Sequence, residues 1–208
     1  MSKLRSAILG QFGKPSGPLG ALAGLIMRVR PSNRLRSFRT LDLLDLQPGD
    51  RLLEIGFGPG LALTRGAELA SAGKVIGIDH SELMLSQARR RNAKAVKAGR
   101  VELFLASAEI LPAFAESFDK VMAVNVYGFW KDPVRVLTQL LDVMNPGGLI
   151  ALTTQPRHRG ATADDARVAA ERMGAALRSA GFAEVRTELL EMTPVAAACV
   201  LGRKQAPA

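Results

Sequence analysis

Residues 52–63, Leu-Leu-Glu-Ile-Gly-Phe-Gly-Pro-Gly-Leu-Ala-Leu, constrain this chain more than any other segment: an apolar run, an acid, then glycines at alternate positions. An apolar run bounded by turn residues reads as a buried strand. Three glycines in five residues permit a tight turn and bring backbone N–H groups closer to a ligand than side chains would allow. A helix beginning near Leu61 would aim its positive end at the same place. The segment reads as a strand–loop–helix cradle for a nucleotide-type cofactor.

The dinucleotide fingerprint is Gly-x-Gly-x-x-Gly. The order here is Glu54-x-Gly56-x-Gly58-x-Gly60, which misses that template by one residue. It resembles the first motif of class I S-adenosylmethionine-dependent methyltransferases. Glu54 also suits a ligand that carries a sulfonium and an ammonium in place of a pyrophosphate. The resemblance assigns Glu54, Gly56, Phe57, Gly58 and Gly60 to the cofactor, against the plain alternative of a glycine turn with no ligand.

Three further segments follow in the family's order. Lys74-Val-Ile-Gly-Ile-Asp79-His80-Ser81 is a second apolar strand that ends in an acid. A carboxylate about 20 residues past a glycine loop reaches the ribose hydroxyls. By resemblance, Asp79 and His80 then join the cofactor set, and Met84 packs on the adenine. Helix capping by Asp79 and Ser81, with Met84 in the core, is compatible with that role. Val101-Glu-Leu-Phe-Leu-Ala-Ser107-Ala108-Glu109-Ile-Leu-Pro112 resembles the strand and loop that the family often spells Gly-Asp-Ala-x-x-Leu-Pro. There the aspartate accepts from the adenine amino group and the next N–H reaches a ring nitrogen, which implicates Ser107, Ala108 and Glu109. Serine is a shorter, uncharged acceptor, so a weaker or water-bridged contact is expected. The strand from Phe118 ends near Asn125, where donor and acceptor meet in this fold, so Asn125 joins the same set.

The remaining pattern sets the fold class. Asp132-Pro133 marks a helix start, with Val134, Leu137, Leu141 and Met144 expected on one face. Asn145-Pro-Gly-Gly148 is expected to stop that helix and lead into a strand at Leu149–Thr154. Thr162–Ala180 reads as a helix that buries Ala166, Ala169, Met173 and Leu177, with Gly181 as its stop. Strands are expected near Glu184–Met192 and Ala196–Arg203. Alternating strands and helices imply a doubly wound α/β fold, a mostly parallel sheet with helices on both faces. The resemblance makes it seven-stranded with the last strand antiparallel. A chain of 208 residues fits one such domain. We divide it into an N-terminal basic extension with lid and cap helices, 1–46, and a cofactor-binding domain, 47–208.

Cys199 is the only cysteine, which excludes an intrachain disulfide and suggests a reducing, cytoplasmic compartment. It is expected in the core of the last strand. His80 and His158 have no metal-ligand spacing. Asn125 stands where magnesium-dependent relatives carry an aspartate, so no metal is expected.

Residues 1–41 hold eight basic residues and no acid, leaving one of the nine net positive charges for the rest of the chain. Three readings fit this extension. We favour a lid over the cofactor, with Gln11–Gly20 as its loop, Phe12 at the acceptor and Ser32–Leu46 as a helix into the core. A second reading lays Leu19–Val29 as an amphipathic helix on an anionic membrane or nucleic acid. The third is a signal, disfavoured because arginines follow the apolar run directly and no small-residue cleavage site is apparent.

The resemblance implies in-line methyl transfer, in which alignment does most of the work. A base is needed only for a protonated acceptor. Tyr127 and His158 are the candidates, though local packing or solvation explains either. Phe129 and Trp130, with Tyr127, are expected to wall an apolar, aromatic or lipid-like acceptor pocket. An RNA methyltransferase using the basic extension is the alternative. Against nucleic acid, Asn125-Val-Tyr127 lacks the prolines of Asn-Pro-Pro-Tyr and no aromatic-basic interleaving is present. A non-catalytic cofactor-binding protein is a third reading. Acceptor identity and oligomeric state stay open.

Overall fold

The computed structural model describes residues 31–206. The lid reading of residues 1–30, including Phe12 and the Leu19–Val29 helix, falls outside the described residues. Elements are numbered from the first one described. They run α1 (Pro31–Leu44), β1 (Arg51–Ile55), α2 (Leu61–Leu69), β2 (Lys74–Asp79), α3 (Glu82–Arg91), α4 (Ala93–Lys97) and β3 (Val101–Leu105). After β4 (Phe118–Val124) and a 3₁₀ turn (Tyr127–Phe129) come α5 (Pro133–Asp142), β5 (Met144–Thr154), α6 (Ala163–Ser179), β6 (Ala183–Leu190) and β7 (Ala197–Arg203).

The strands form one seven-stranded sheet in the order β3-β2-β1-β4-β5-β7-β6. Pairings from β3 to β5 are parallel, and β7 runs antiparallel to both β5 and β6. This is the expected doubly wound arrangement. Successive strand residues point to opposite faces, so each strand feeds two cores. Leu53, Val121, Ile150 and Leu152 pack with Val136, Leu137 and Leu140 of α5 and Ala166, Met173 and Leu177 of α6. Leu52, Met122 and Ala151 pack on the other face with Leu41 and Leu44 of α1, Leu63 and Ala67 of α2, and Met84 and Ala88 of α3. Leu41 and Leu44 thus bind α1 into the same core as the strands.

Local chemistry starts and stops the helices. Asp132 caps α5, its Oδ1 accepting from the Arg135 N–H at 3.1 Å, with Pro133 at the first turn. Thr162 and Asp165 form a capping box for α6, and Gly181 beyond its end has a φ of 98°. Cys199 is fully buried in β7, as expected.

Three expectations need correction. The buried face of α5 is Val136, Leu137 and Leu140, not Val134, Leu137, Leu141 and Met144. Val134 is exposed, and the helix ends at Asp142, so Met144 already sits in the ladder opposite Phe118. Asn145-Pro-Gly-Gly148 lies inside β5 rather than before it. The ladder absorbs these residues by a register shift between Phe118 and Lys120, with Gly147 at a φ of 78°. On α6, Ala170 is fully buried while Ala169 is only half-buried.

Candidate functional site

Strand order reverses between β1 and β4, and such a switch point leaves a crevice at the carboxyl ends of the strands. A cavity of about 720 Å³ lies there, within the range of small-ligand sites. It is lined from the ends of β1 (Glu54, Ile55), β2 (Ile78, Asp79), the loop after β3 (Ala106–Glu109) and the end of β4 (Val124–Val126).

The glycine loop closes one side. Gly56 and Gly58 have left-handed φ of 71° and 51°, where L side chains are strained. A Cβ on Gly56 would overlap Val126, whereas nothing lies within 4 Å of a Cβ on Gly58. The loop's N–H groups are already engaged. Gly56 donates to the Ile78 carbonyl at 2.8 Å, Gly58 to Asp79 Oδ2 at 2.9 Å and Gly60 to the Phe57 carbonyl at 2.9 Å. The expectation of ligand-facing loop N–H groups therefore needs correction at these three positions. An anion nest requires such groups, and here they face the protein.

Asp79 is held at both oxygens, since Oδ1 also accepts from the Ser81 N–H at 2.9 Å. Each carboxylate oxygen retains a second lone pair. Burial raises the Asp79 pKa, and the hydrogen bonds from Ser81 and Gly58 oppose that rise. Glu54 is buried with its Oε2 unpartnered. Burial, reinforced by the like charge of Asp79, raises it to about 8.

Of the residues singled out from sequence, Glu54, Gly56, Phe57, Gly58, Asp79, His80, Met84, Ser107, Ala108, Glu109, Asn125, Phe129 and Trp130 line this one cavity. Gly60 stands behind the lining as the left-handed N-cap of α2. Ser107 Oγ accepts from the Glu109 N–H at 3.1 Å, while Glu109 Oε1 accepts from the Lys131 N–H at 2.8 Å. Asn125, at a φ of 57°, accepts through Oδ1 from the Gln155 N–H at 2.9 Å.

Tyr127 and His158 do not line the cavity. The Tyr127 hydroxyl donates to the Arg172 carbonyl on α6 at 3.3 Å, and burial raises its pKa. His158 borders a separate hollow of about 240 Å³, with Nε2 at 3.5 Å from Asp165 Oδ2. The cavity also includes Asn33 and Arg36 of α1, with Lys131 and Arg157, none of which the motifs singled out. Helical phase was the available signal. Counting back from Leu44 by turns reaches Thr40 and Arg36, and both are buried while Arg34 and Arg39 are exposed.

Comparison with known proteins agrees with this geometry. The family described as "Methyltransferase domain" matches residues 52–148. An uncharacterized methyltransferase, YdaC, of Bacillus subtilis is 33% identical over 89% of this chain and 99% of its own length. Aklanonic acid methyltransferase DauC of Streptomyces is 37% identical over 56% of the chain, which spans about half of that relative. Among solved structures, N-methyltransferase NodS of Bradyrhizobium japonicum, in complex with S-adenosylhomocysteine, aligns at a TM-score of 0.67 and 17% identity, covering 86% of this chain and 91% of that one. The [4+2]-cyclase SpnF aligns at 0.68 and 21% identity over 84% and 82%. By its likeness to YdaC along nearly the whole of both chains, this chain belongs to the class I S-adenosylmethionine-dependent methyltransferases.

Proposed function

We propose that the chain methylates a small apolar, aromatic or lipid-like acceptor held against Phe129 and Trp130, with the cofactor seated between the glycine loop and Asp79. The observation that carries the acceptor class is Phe129, a large aromatic residue on the cavity lining that is 58% exposed. Exposed aromatic surface at a cavity mouth favours an apolar partner. Relatives described as acting on aklanonic acid and demethylmenaquinone support a small-molecule acceptor.

The residues present fit the cofactor. Gly58 leaves room for a ligand close to the backbone, and the unpartnered Glu54 oxygen suits a cationic group. With the loop N–H groups turned inward, a pyrophosphate would lack donors there. Asp79 would accept from the ribose hydroxyls through its remaining lone pairs. Met84, with 1% of its surface exposed, would pack on the adenine, and Ser107 would meet the adenine edge. Bound there, S-adenosylmethionine supplies an electrophilic methyl on a sulfonium leaving group.

The chain's own contribution is alignment and exclusion of water. Binding donor and acceptor in one cavity converts a bimolecular step into an effectively unimolecular one, worth up to roughly 7–11 kcal/mol in favourable systems. Tyr127 and His158 lie outside the lining, so this reading assigns neither a proton-transfer role. Labelled-methyl transfer from S-adenosylmethionine to a panel of phenols, quinols and fatty acids, run beside total RNA, tests the acceptor class. Label entering only the RNA would replace this reading with the RNA alternative.

A further inference from the structure

The loops after β3 and β4 both line the cavity, one at the adenine edge and the other at the acceptor in the reading above. Their strands are not neighbours, since β2 and β1 lie between them in the sheet, a separation of about 14 Å at the usual strand spacing. Glu109 joins the two loops at the cavity. Its Oε1 accepts from the Lys131 N–H at 2.8 Å, and its carbonyl accepts from Gln139 Nε2 on α5 at 3.3 Å.

We propose that Glu109 is a positioning residue: it passes the order that the cofactor imposes on the loop after β3 to the turn that holds Phe129 and Trp130. The proposal rests on the cofactor and acceptor reading above and gives Glu109 a role beyond contact with the cofactor.

The adenine end of this link is a tight turn. Ser107 Oγ accepts from the Glu109 N–H at 3.1 Å, and the Ser107 carbonyl accepts from the Ile110 N–H at 3.2 Å. The Ser107 hydroxyl keeps its proton and one lone pair for a ligand. A ligand held there fixes the turn and, with it, the Glu109 backbone.

The acceptor end is a 3₁₀ turn closed by its own hydrogen bonds. The Phe129 N–H donates to the Val126 carbonyl at 2.9 Å and the Trp130 N–H to the Tyr127 carbonyl at 3.2 Å. The next donor, the Lys131 N–H, leaves the turn for Glu109. Asp132 caps α5 directly beyond, so the Glu109 bond fixes the segment between turn and helix. A carboxylate makes a stronger hydrogen bond to an N–H than a neutral oxygen does. Glu109 is half-buried while Ser107 and Phe129 are exposed, and hydrogen bonds open to water are the first to yield locally. A ligand that orders one end therefore lowers the ordering cost at the other. By linkage, a fixed acceptor turn favours the cofactor to the same degree.

The test titrates S-adenosylhomocysteine into the full chain by calorimetry and by tryptophan emission, which reports this turn because Trp130 is the only tryptophan. Wild type and Glu109→Gln, which keeps an oxygen acceptor for the Lys131 N–H, should both show a saturable emission change. Glu109→Ala should bind S-adenosylhomocysteine within about fivefold of wild type and lose more than half of that change. A smaller loss, a wild-type emission that ignores binding, or the same loss in Glu109→Gln overturns the proposal. Weaker binding than that in Glu109→Ala makes Glu109 a cofactor contact and overturns it too. Wild-type protein that does not bind S-adenosylhomocysteine overturns the cofactor reading itself. Should a variant fail to fold, hydrogen exchange at the wild-type Lys131 amide decides. S-adenosylhomocysteine should slow it about 10-fold, and an unchanged rate overturns the proposal.

Discussion

The cavity has two walls built in different ways. Along one, the glycine loop and Asp79 join through the Gly58–Asp79 hydrogen bond, made between residues 21 apart in sequence. Along the other, Arg36 meets Gln155 across 119 residues and Thr40 meets Thr153 across 113. The first wall is a local motif whose geometry comes from backbone conformation. The second is a buried polar network that exists only once α1 has docked on the end of β5. A ligand that touches both walls reads out local and long-range folding together.

Perturbing the local wall should have the largest effect. Gly56→Ala adds a Cβ that overlaps Val126 at a left-handed φ of 71°. Urea unfolding should show a loss of roughly 2–5 kcal/mol from strain and overpacking, with cofactor binding impaired. A loss below about 1 kcal/mol would mean that the loop yields easily and is not a rigid cradle.

Glu54 ranks next, and its effect depends on pH. An unfolded glutamate ionises near 4.5, while the folded one holds its proton up to about 8. Between those values the native state binds a proton that the unfolded state lacks, so stability falls as pH rises and levels off above about 8. Glu54→Gln removes that slope and should stabilise the free protein at pH 8 by roughly 1–4 kcal/mol. The same substitution should weaken S-adenosylhomocysteine binding. In wild type near pH 7, binding should release a proton, visible as a binding enthalpy that changes with buffer ionisation heat. A flat pH profile that Glu54→Gln does not alter would refute this.

The long-range wall should respond less to single changes. The Thr40 hydroxyl lies 2.7 Å from that of Thr153 and donates to the Arg36 carbonyl at 2.9 Å. Thr40→Val should cost about 1–2 kcal/mol because it removes one hydrogen-bond partner of the buried Thr153 hydroxyl. The Thr40→Val/Thr153→Val double variant should cost less than the sum of the two single changes. Strict additivity would show that the pair does not couple α1 to β5.

The smallest effect belongs to Tyr127, outside both walls. Tyr127→Phe removes one half-exposed hydrogen bond to Arg172. It should cost under about 0.5 kcal/mol and leave methyl transfer within about twofold. A loss of roughly 10²-fold or more would restore Tyr127 as a general base.

Legibility in the sequence followed the same division. The antiparallel last strand came from the family resemblance. The alternation of strands and helices and the caps at Asp132, Thr162 and Gly181 were readable because each depends on adjacent residues. Thirteen of the singled-out residues, from Glu54 to Trp130, line one cavity for the same reason. Helical phase could have marked Arg36 as inward-facing among the exposed Arg34 and Arg39, but not as a site residue, because its partner Gln155 lies 119 residues away. The face of α5 was misread because apolar residues recur on both sides of it, and only contact with the sheet selects Val136 and Leu140 over Val134 and Leu141. The engagement of the loop N–H groups was equally invisible, since a glycine spacing gives φ freedom and not the direction in which a backbone donor points.

The central claim is that this cavity takes S-adenosylmethionine, with the ribose on Asp79. It is tested most directly by titrating the full chain with S-adenosylhomocysteine and with NAD, in wild type and in Asp79→Ala. The account predicts saturable one-site binding of S-adenosylhomocysteine, weakened by about 1.5–3 kcal/mol in the variant through loss of charged hydrogen bonds, and no binding of NAD. No heat with S-adenosylhomocysteine together with tight NAD binding, or an affinity unchanged in Asp79→Ala, would contradict it.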